Sequence, residues 1–196
     1  MSKKRILLIY PPSPIMNRED RCQQPNKDLL VIPPLPPTDL MYLAAIAESC
    51  GYEAMIKDYS LDGDFIQDLK TFTPDYLLVN IATPTFKSDL EAVAMAKSIL
   101  PNLITIVKGA PFLTYTNNIT YENPFIDYAI IGEPELTLKE ILEGIPNNEI
   151  LGICYTENMQ SITNERRPFN EDLDSLPFPA RHLVNNSIYT KHYKQK

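Results

Sequence analysis

The chain is expected to fold as an α/β doubly wound parallel sheet, and three observations carry that expectation. The first is 75-DYLLVNIATPTFKSDLEAVAMAKSILPNLITIVKGAP-111, which reads as strand, loop, helix, strand and loop. Tyr76 to Ala82 is almost unbrokenly apolar, as a strand must be when helices cover both faces of a parallel sheet. The second is the alternation of short apolar runs with helical stretches over residues 1 to about 145. The third is the placing of the prolines: eighteen against only six glycines, clustered in Pro11 to Pro37 and Pro168 to Pro179. They mark extended connectors rather than general disorder. A strand–helix–strand unit of this length favours a right-handed crossover, which puts both strand C-termini on one edge. In open sheets of this kind that edge carries the ligand.

Taken in order, Ile6 to Tyr10 is a short apolar strand closed by Pro11-Pro12. Residues 13 to 37 show no periodicity and hold six prolines, a loop length that is usually functional and is otherwise a surface excursion. Thr38 or Asp39 caps a helix over Leu40 to Cys50 that ends at Gly51 and is apolar nearly all round. Tyr52 to Asp58 is the second strand and Phe65 to Phe72 a short helix. In the central unit, Ser88 and Glu91 have the spacing of a capping box, Pro101 ends the helix, and Leu103 to Val107 is a strand. Thr114 to Glu122 is polar with slight helical character, and Asp127 to Ile131 is an apolar strand. In 132-GEPELTLKEILEG-144, Leu138, Ile141 and Leu142 form one helical face and Gly144 stops it. Ile153 to Thr156 and Gln160 to Thr163 form a hairpin, and no element is evident from Asn164 onward. The expected organisation is a binding domain over 1–145, a hairpin over 146–164 and a linker over 165–196.

A net charge of −7 and a pI near 4.9 argue against nucleic acid or an anionic membrane as partner. No apolar run approaches the length of a membrane span or a signal-peptide core, so a cytoplasmic protein is expected. Cys22, Cys50 and Cys154 have no C-x-x-C spacing, and His182 and His192 are the only histidines, so no metal site is expected. No nucleophile–base set, Walker loop or G-x-G-x-x-G can be assembled. The glycines at strand ends are Gly109 and Gly132. Each lets backbone approach a ligand closely, and for a single such glycine turn geometry alone is the simpler reading.

Five segments together carry more than any one: 37-PTDLMYLAAIAESCGYEAMIKD-58, ATPTF at 82–86, KGAPF at 108–112, IGEPELTL at 131–138 and 172-DLDSLPFPAR-181. In combination they resemble the N-terminal half of cobalamin-dependent radical S-adenosylmethionine proteins, over about Ile6 to Tyr189. The resemblance implies a flavodoxin-like domain that holds cobalamin (B12) across the strand C-termini. By it, Pro11 and Pro12 follow the first strand, and Thr83 and Thr85 occupy the loop that meets the nucleotide tail. Gly109, Ala110 and Pro111 stand where the family usually has Gly-Gly-Pro, and Gly132 and Glu133 form the third strand-end loop.

Two departures from the family matter. The cobalt-ligating Asp-x-His-x-x-Gly of many such domains has no counterpart in Pro11 to Arg21, which implies base-off cobalamin without a protein imidazole. Nor is there the Cys-x-x-x-Cys-x-x-Cys that holds a [4Fe–4S] cluster for S-adenosylmethionine. The resemblance places that cluster in a downstream radical barrel, so this chain reads as a fragment of such an enzyme or a free-standing binding module without catalysis of its own. A receiver- or flavodoxin-like domain binding a nucleotide or flavin, or serving as an interaction scaffold, is the alternative. It lacks an acidic cluster and has only Ser13 as a phosphate-loop residue after the first strand. Leu173, Leu176 and Phe178 are expected to pack on a neighbouring surface.

Overall fold

Strand β1 (Arg5–Tyr10) is the apolar run expected after the basic N-terminal flank, and it sits inside a seven-stranded sheet. The structure, a computed structural model, describes residues 3–13, 16–17, 24–25, 34–113 and 118–190. The rest of the proline-rich stretch therefore lies outside the described residues, apart from β2 (Met16–Asn17) and β3 (Gln24–Pro25), which pair antiparallel. Helix α1 (Thr38–Ser49) starts two residues before the expected Leu40, so the expected caps Thr38 and Asp39 lie inside its first turn and Pro37, at the N-cap, offers no side-chain acceptor. Then follow β4 (Glu53–Asp58) and α2 (Phe65–Phe72), the latter with the bounds expected from sequence. Asp64 caps α2 by accepting from the Gln67 N–H at 3.0 Å.

The central unit is β5 (Tyr76–Asn80), α3 (Phe86–Ile99) and β6 (Ile104–Lys108). After it come a short α4 (Ile119–Glu122), β7 (Tyr128–Ile130) and α5 (Glu135–Glu143), which Gly144 ends in the left-handed conformation at φ 76°. The hairpin of β8 (Ile153–Glu157) and β9 (Gln160–Thr163) does not stand apart. It joins the sheet through antiparallel pairing of β8 with β7. The strand order is β4-β1-β5-β6-β7-β8-β9, parallel from β4 to β7.

Chain direction explains the layers. From β1 the chain crosses through α1 to β4 on one side, then returns through α2 to β5 on the other side of β1. Helices α1 and α5 pack over one face, on Ile6, Leu8, Leu78 and Ile106. Helices α2 and α3 pack over the opposite face, on Leu7, Ile9, Leu77, Val79 and Val107. The apolar runs Ile6 to Ile9 of β1 and Leu77 to Val79 of β5 are thus buried on both sides, as the sequence pattern requires. The direction of winding reverses between β1 and β5, and the crevice at such a point, beyond the strand C-termini, is where these sheets bind ligands. None of the described helices is long and apolar enough to cross a membrane.

The tail after β9 is irregular but anchored. Arg167, whose side chain is 12% exposed, bonds to the Thr137 hydroxyl at 3.0 Å and to the Glu140 carboxylate. The Ala180 N–H donates to the Met41 carbonyl at 3.0 Å, and Leu176, Leu183 and Val184 pack against the α1 side of the core. A last short helix, α6 (Ser187–Thr190), buries Tyr189, whose hydroxyl donates to Asp58 at 3.3 Å. Of the three residues expected to seek a neighbouring surface, Leu176 finds one on this chain itself, whereas Leu173 and Phe178 are exposed.

Candidate functional site

The C-terminal edge of the sheet is built by alternation and register. Along β1, residues 6, 8 and 10 point to the α1 face, as do 78 and 80 on β5 and 106 and 108 on β6. Parallel pairing aligns Asn80 with Lys108 and Ile9 with Val79, so the strands end level, in the row Tyr10, Asn80, Lys108. Inward of that row the same face is apolar. The row itself is polar yet buried: Tyr10 is 6% exposed, Asn80 1% and Lys108 6%.

All three meet one carboxylate. Asp39, in the first turn of α1, accepts from the Tyr10 hydroxyl at 2.7 Å on Oδ1. Its Oδ2 accepts from Asn80 Nδ2 at 2.7 Å and pairs with Lys108 Nζ at 2.8 Å. Burial alone would raise the Asp39 carboxyl. The Lys108 charge, with hydrogen bonds from Lys108, Tyr10 and the Leu40 backbone, overrides it and holds the group below the usual carboxylate range. Asp39 is therefore an anion. Glu135, in the first turn of α5, shifts the other way. Burial raises it most, Glu133 and Asp39 add to the rise, and Lys108 opposes.

Around this row lie the loops that the sequence singled out. Thr83-Pro84-Thr85 forms a single 3-10 turn after β5, with Thr83 exposed. The Thr85 hydroxyl is turned inward and donates to Asp89 Oδ2 at 2.7 Å, and the Ala82 N–H donates to the same oxygen at 3.0 Å. Asp89, fully buried, thus clamps the loop, and the capping box expected from Ser88 and Glu91 does not form. Helix α3 begins two residues earlier at Phe86, and the Ser88 hydroxyl donates to the Thr85 carbonyl at 2.9 Å.

Gly109 has φ 134°, and a Cβ placed there would lie 2.0 Å from the Ile81 carbonyl oxygen. Its lack of a side chain serves the approach of β6 to the end of β5. Ala110 is half-buried, while Pro111 is buried beside the fully buried Phe112. Gly132 is the contrasting case: φ is 87°, it is exposed, and a Cβ would meet nothing within 4 Å. Glu133 beside it is exposed and accepts from the Asn170 N–H of the tail at 3.4 Å. Pro11 is buried behind Tyr10, and Pro12 is exposed.

The fold thus gathers Pro11, Pro12, Thr83, Thr85, Gly109, Ala110, Gly132 and Glu133 on consecutive strand-end loops of one edge, with Pro111 turned into the core. Sequence reasoning missed the four residues at the centre. Their signal was present as one polar residue closing each apolar run: Tyr10 after ILLI, Asn80 after YLLV and Lys108 after ITIV. Among the described residues no group of three or more His, Cys, Asp or Glu side chains is placed to hold a metal ion.

Comparison with known proteins gives the edge its context. An uncharacterized methyltransferase of Pyrococcus horikoshii is 30% identical over 183 residues, covering 83% of this chain and 40% of that protein. The anaerobic magnesium-protoporphyrin IX monomethyl ester cyclase of Synechocystis is 26% identical, covering 87% of this chain and 34% of its own length. The chain therefore spans less than half of these relatives. The cobalamin-dependent S-adenosylmethionine radical enzyme OxsB, solved with aqua-cobalamin and S-adenosylmethionine bound, shares the fold: TM-score 0.74 at 15% identity, over 97% of this chain and 25% of that one. The B12 binding domain family matches residues 33–142, more than half of the sequence and the span from α1 to α5. The chain belongs to the B12-binding domain family.

Proposed function

We propose that this chain is the cobalamin-holding domain of a radical S-adenosylmethionine enzyme, binding the cofactor base-off at the C-terminal sheet edge and performing no catalysis alone. The observation that carries this reading is the row Tyr10, Asn80 and Lys108 on Asp39 at the C-terminal ends of β1, β5 and β6, with the exposed Thr83 after β5 and the exposed backbone of Gly132 after β7 on the same edge. Cobalamin carries many neutral amides around its ring, and this edge offers them both donors and acceptors. The hydroxyl of Thr83, the carboxylates of Asp39 and Glu133 and the backbone at Gly132 fit such a ligand. Thr83 and Gly132 would hold it, with the loop 82–85 under its nucleotide tail, Pro12 and Ala110 alongside, and Asp89 keeping that loop rigid. Bound cobalamin supplies a cobalt centre for methyl or electron transfer.

Among the described residues, the single histidine supports the base-off reading by its distance along α1. His182 pairs with Glu48 at 2.9 Å, and Glu48 lies nine residues from Asp39, roughly 14 Å along the helix. That puts His182 toward the opposite end of the sheet. His192 lies outside the described residues. The tail from about residue 165 is read as the link to a radical barrel in cis, which would carry the [4Fe–4S] cluster and S-adenosylmethionine. Exposed Phe169 (82%), Leu173 (68%) and Phe178 (95%) suit a surface that another domain covers. The free thiols of Cys50 and Cys154 suit a reducing cytoplasm.

Paramagnetic resonance of the cob(II)alamin form tests the base-off reading. The expected spectrum shows no strongly coupled axial nitrogen. A nitrogen splitting that disappears in His182→Ala would refute it.

A further inference from the structure

We propose that the Asp39–Lys108 ion pair, held in place by Tyr10 and Asn80, tunes the reduction potential of cobalamin bound at this edge. This rests on the cobalamin reading above. The simpler alternative is that the pair only closes the end of the sheet. Burying the Lys108 charge and partly burying its carboxylate partner for that purpose is costly in desolvation, and apolar residues of similar volume commonly serve as well. The inward neighbours Leu8, Leu78 and Ile106 on the same face show that this protein uses them freely. On this face the last position of β1, β5 and β6 is in each case a residue with a polar group, Tyr10, Asn80 and Lys108. This row lies at the crevice where the direction of winding reverses.

The four groups divide the work. Lys108 is almost wholly enclosed, with its side chain 7% exposed, whereas the Asp39 side chain is 31% exposed and opens toward the edge. Tyr10 occupies one carboxylate oxygen, and Asn80 and Lys108 share the other, so the anion has a fixed position. Fixed charges beside a metal centre shift its potential without touching it. An anion favours the more positive cobalt(III) state, and a cation favours cobalt(II). In wild type the two charges largely offset each other. Removing either changes the charge at this edge by one unit, with opposite sign for the two, so the two deletions should act in opposite directions. A role in folding alone gives no such opposition, because losing either partner then only destabilises.

The test is a spectroscopic titration of the cob(III)alamin/cob(II)alamin couple on the purified full chain. Dithionite delivers the single electron that converts cobalt(III) to cobalt(II), and redox mediators report the midpoint. Asp39→Asn is expected to favour cob(II)alamin by about tenfold, and Lys108→Met to favour cob(III)alamin by about tenfold. That is the change a difference of one unit charge produces at a separation of about 12 Å and an effective dielectric constant of about 20. Each corresponds to about 59 mV for one electron. Tyr10→Phe keeps both charges but removes one donor from the anion, so it should shift the midpoint in the Lys108→Met direction by less. This variant carries the test if either charge deletion fails to fold. Coincident midpoints, or shifts in the same direction for both charge deletions, overturn the proposal while leaving cobalamin binding intact. If hydroxocobalamin leaves the wild-type spectrum and melting unchanged, the cobalamin reading itself fails, and this inference with it.

Discussion

Replacing Gly109 by alanine separates what the strand ends do for the fold from what they do for a ligand. The new Cβ would lie 2.0 Å from the Ile81 carbonyl oxygen and 3.0 Å from Asn80 Oδ1, and ordinary contact begins near 3.4 Å. Relief requires the end of β5 to retreat from β6. The Ile81 N–H donates to the Lys108 carbonyl at 2.7 Å at that same point, so the retreat strains the last rung between the strands. Three costs combine: about 1–3 kcal/mol for a side chain at positive φ, about 1–3 kcal/mol for overpacking, and about 1 kcal/mol for the rung. The sum centres on about 5 kcal/mol. For a chain of this size each kcal/mol moves Tm by roughly 2–4 °C, so a fall of about 10–20 °C is expected. Gly132→Ala is the control. Its φ of 87° costs about 1–2 kcal/mol, but the Cβ meets nothing. Thermal and urea unfolding of the ligand-free protein read both variants. Equal losses at the two positions would refute the steric account of Gly109.

Three further expectations follow from the same contacts. The folded pKa of Asp39 lies below its unfolded value near 3.8, so its contribution to stability is present above that pH and is lost as pH falls through the folded value. In pH-dependent urea unfolding, Asp39→Asn should flatten that acid-side loss, and an unchanged slope would contradict it. Arg167→Ala removes the partner of the Glu140 carboxylate and the donor to the Thr137 hydroxyl, which keeps its own bond to the Leu151 carbonyl, costs about 1.5–3 kcal/mol, and should speed proteolysis of the tail near residue 167. His182→Ala breaks an exposed pair with Glu48 and should change stability by less than about 1 kcal/mol, with no change in the spectrum of bound cobalamin.

Elements defined by local pattern were legible in the sequence. The run YLLVN reads as a doubly buried strand and is one, and α2 has the expected bounds because its Asp64 cap and apolar face are local signals. What failed was non-local. The Ser88–Glu91 spacing looked like a capping box, but buried Asp89 claims the Ala82 N–H and the Thr85 hydroxyl and starts α3 earlier. The hairpin read as separate joins the sheet because β8 pairs with β7, which no local pattern encodes. Asp39 looked like a helix cap, while its partners lie 29, 41 and 69 positions away and meet it only through register. Gly109 stands on the edge loops as expected from sequence, and its missing side chain also admits the Ile81 carbonyl, a contact that no local pattern encodes.

Titrating the purified chain with hydroxocobalamin while following absorbance and melting tests the central claim most directly, with Thr83→Trp as the comparison. Wild type should saturate with one cobalamin per chain, shift its visible spectrum, and gain about 2.7 kcal/mol of stability at a hundredfold excess over Kd. Thr83 is exposed on the loop after β5, so Thr83→Trp should melt like wild type without ligand and lose most of that gain. Unchanged melting of wild type at saturating cobalamin would contradict the account, and full retention of the gain in Thr83→Trp would move the site away from this edge.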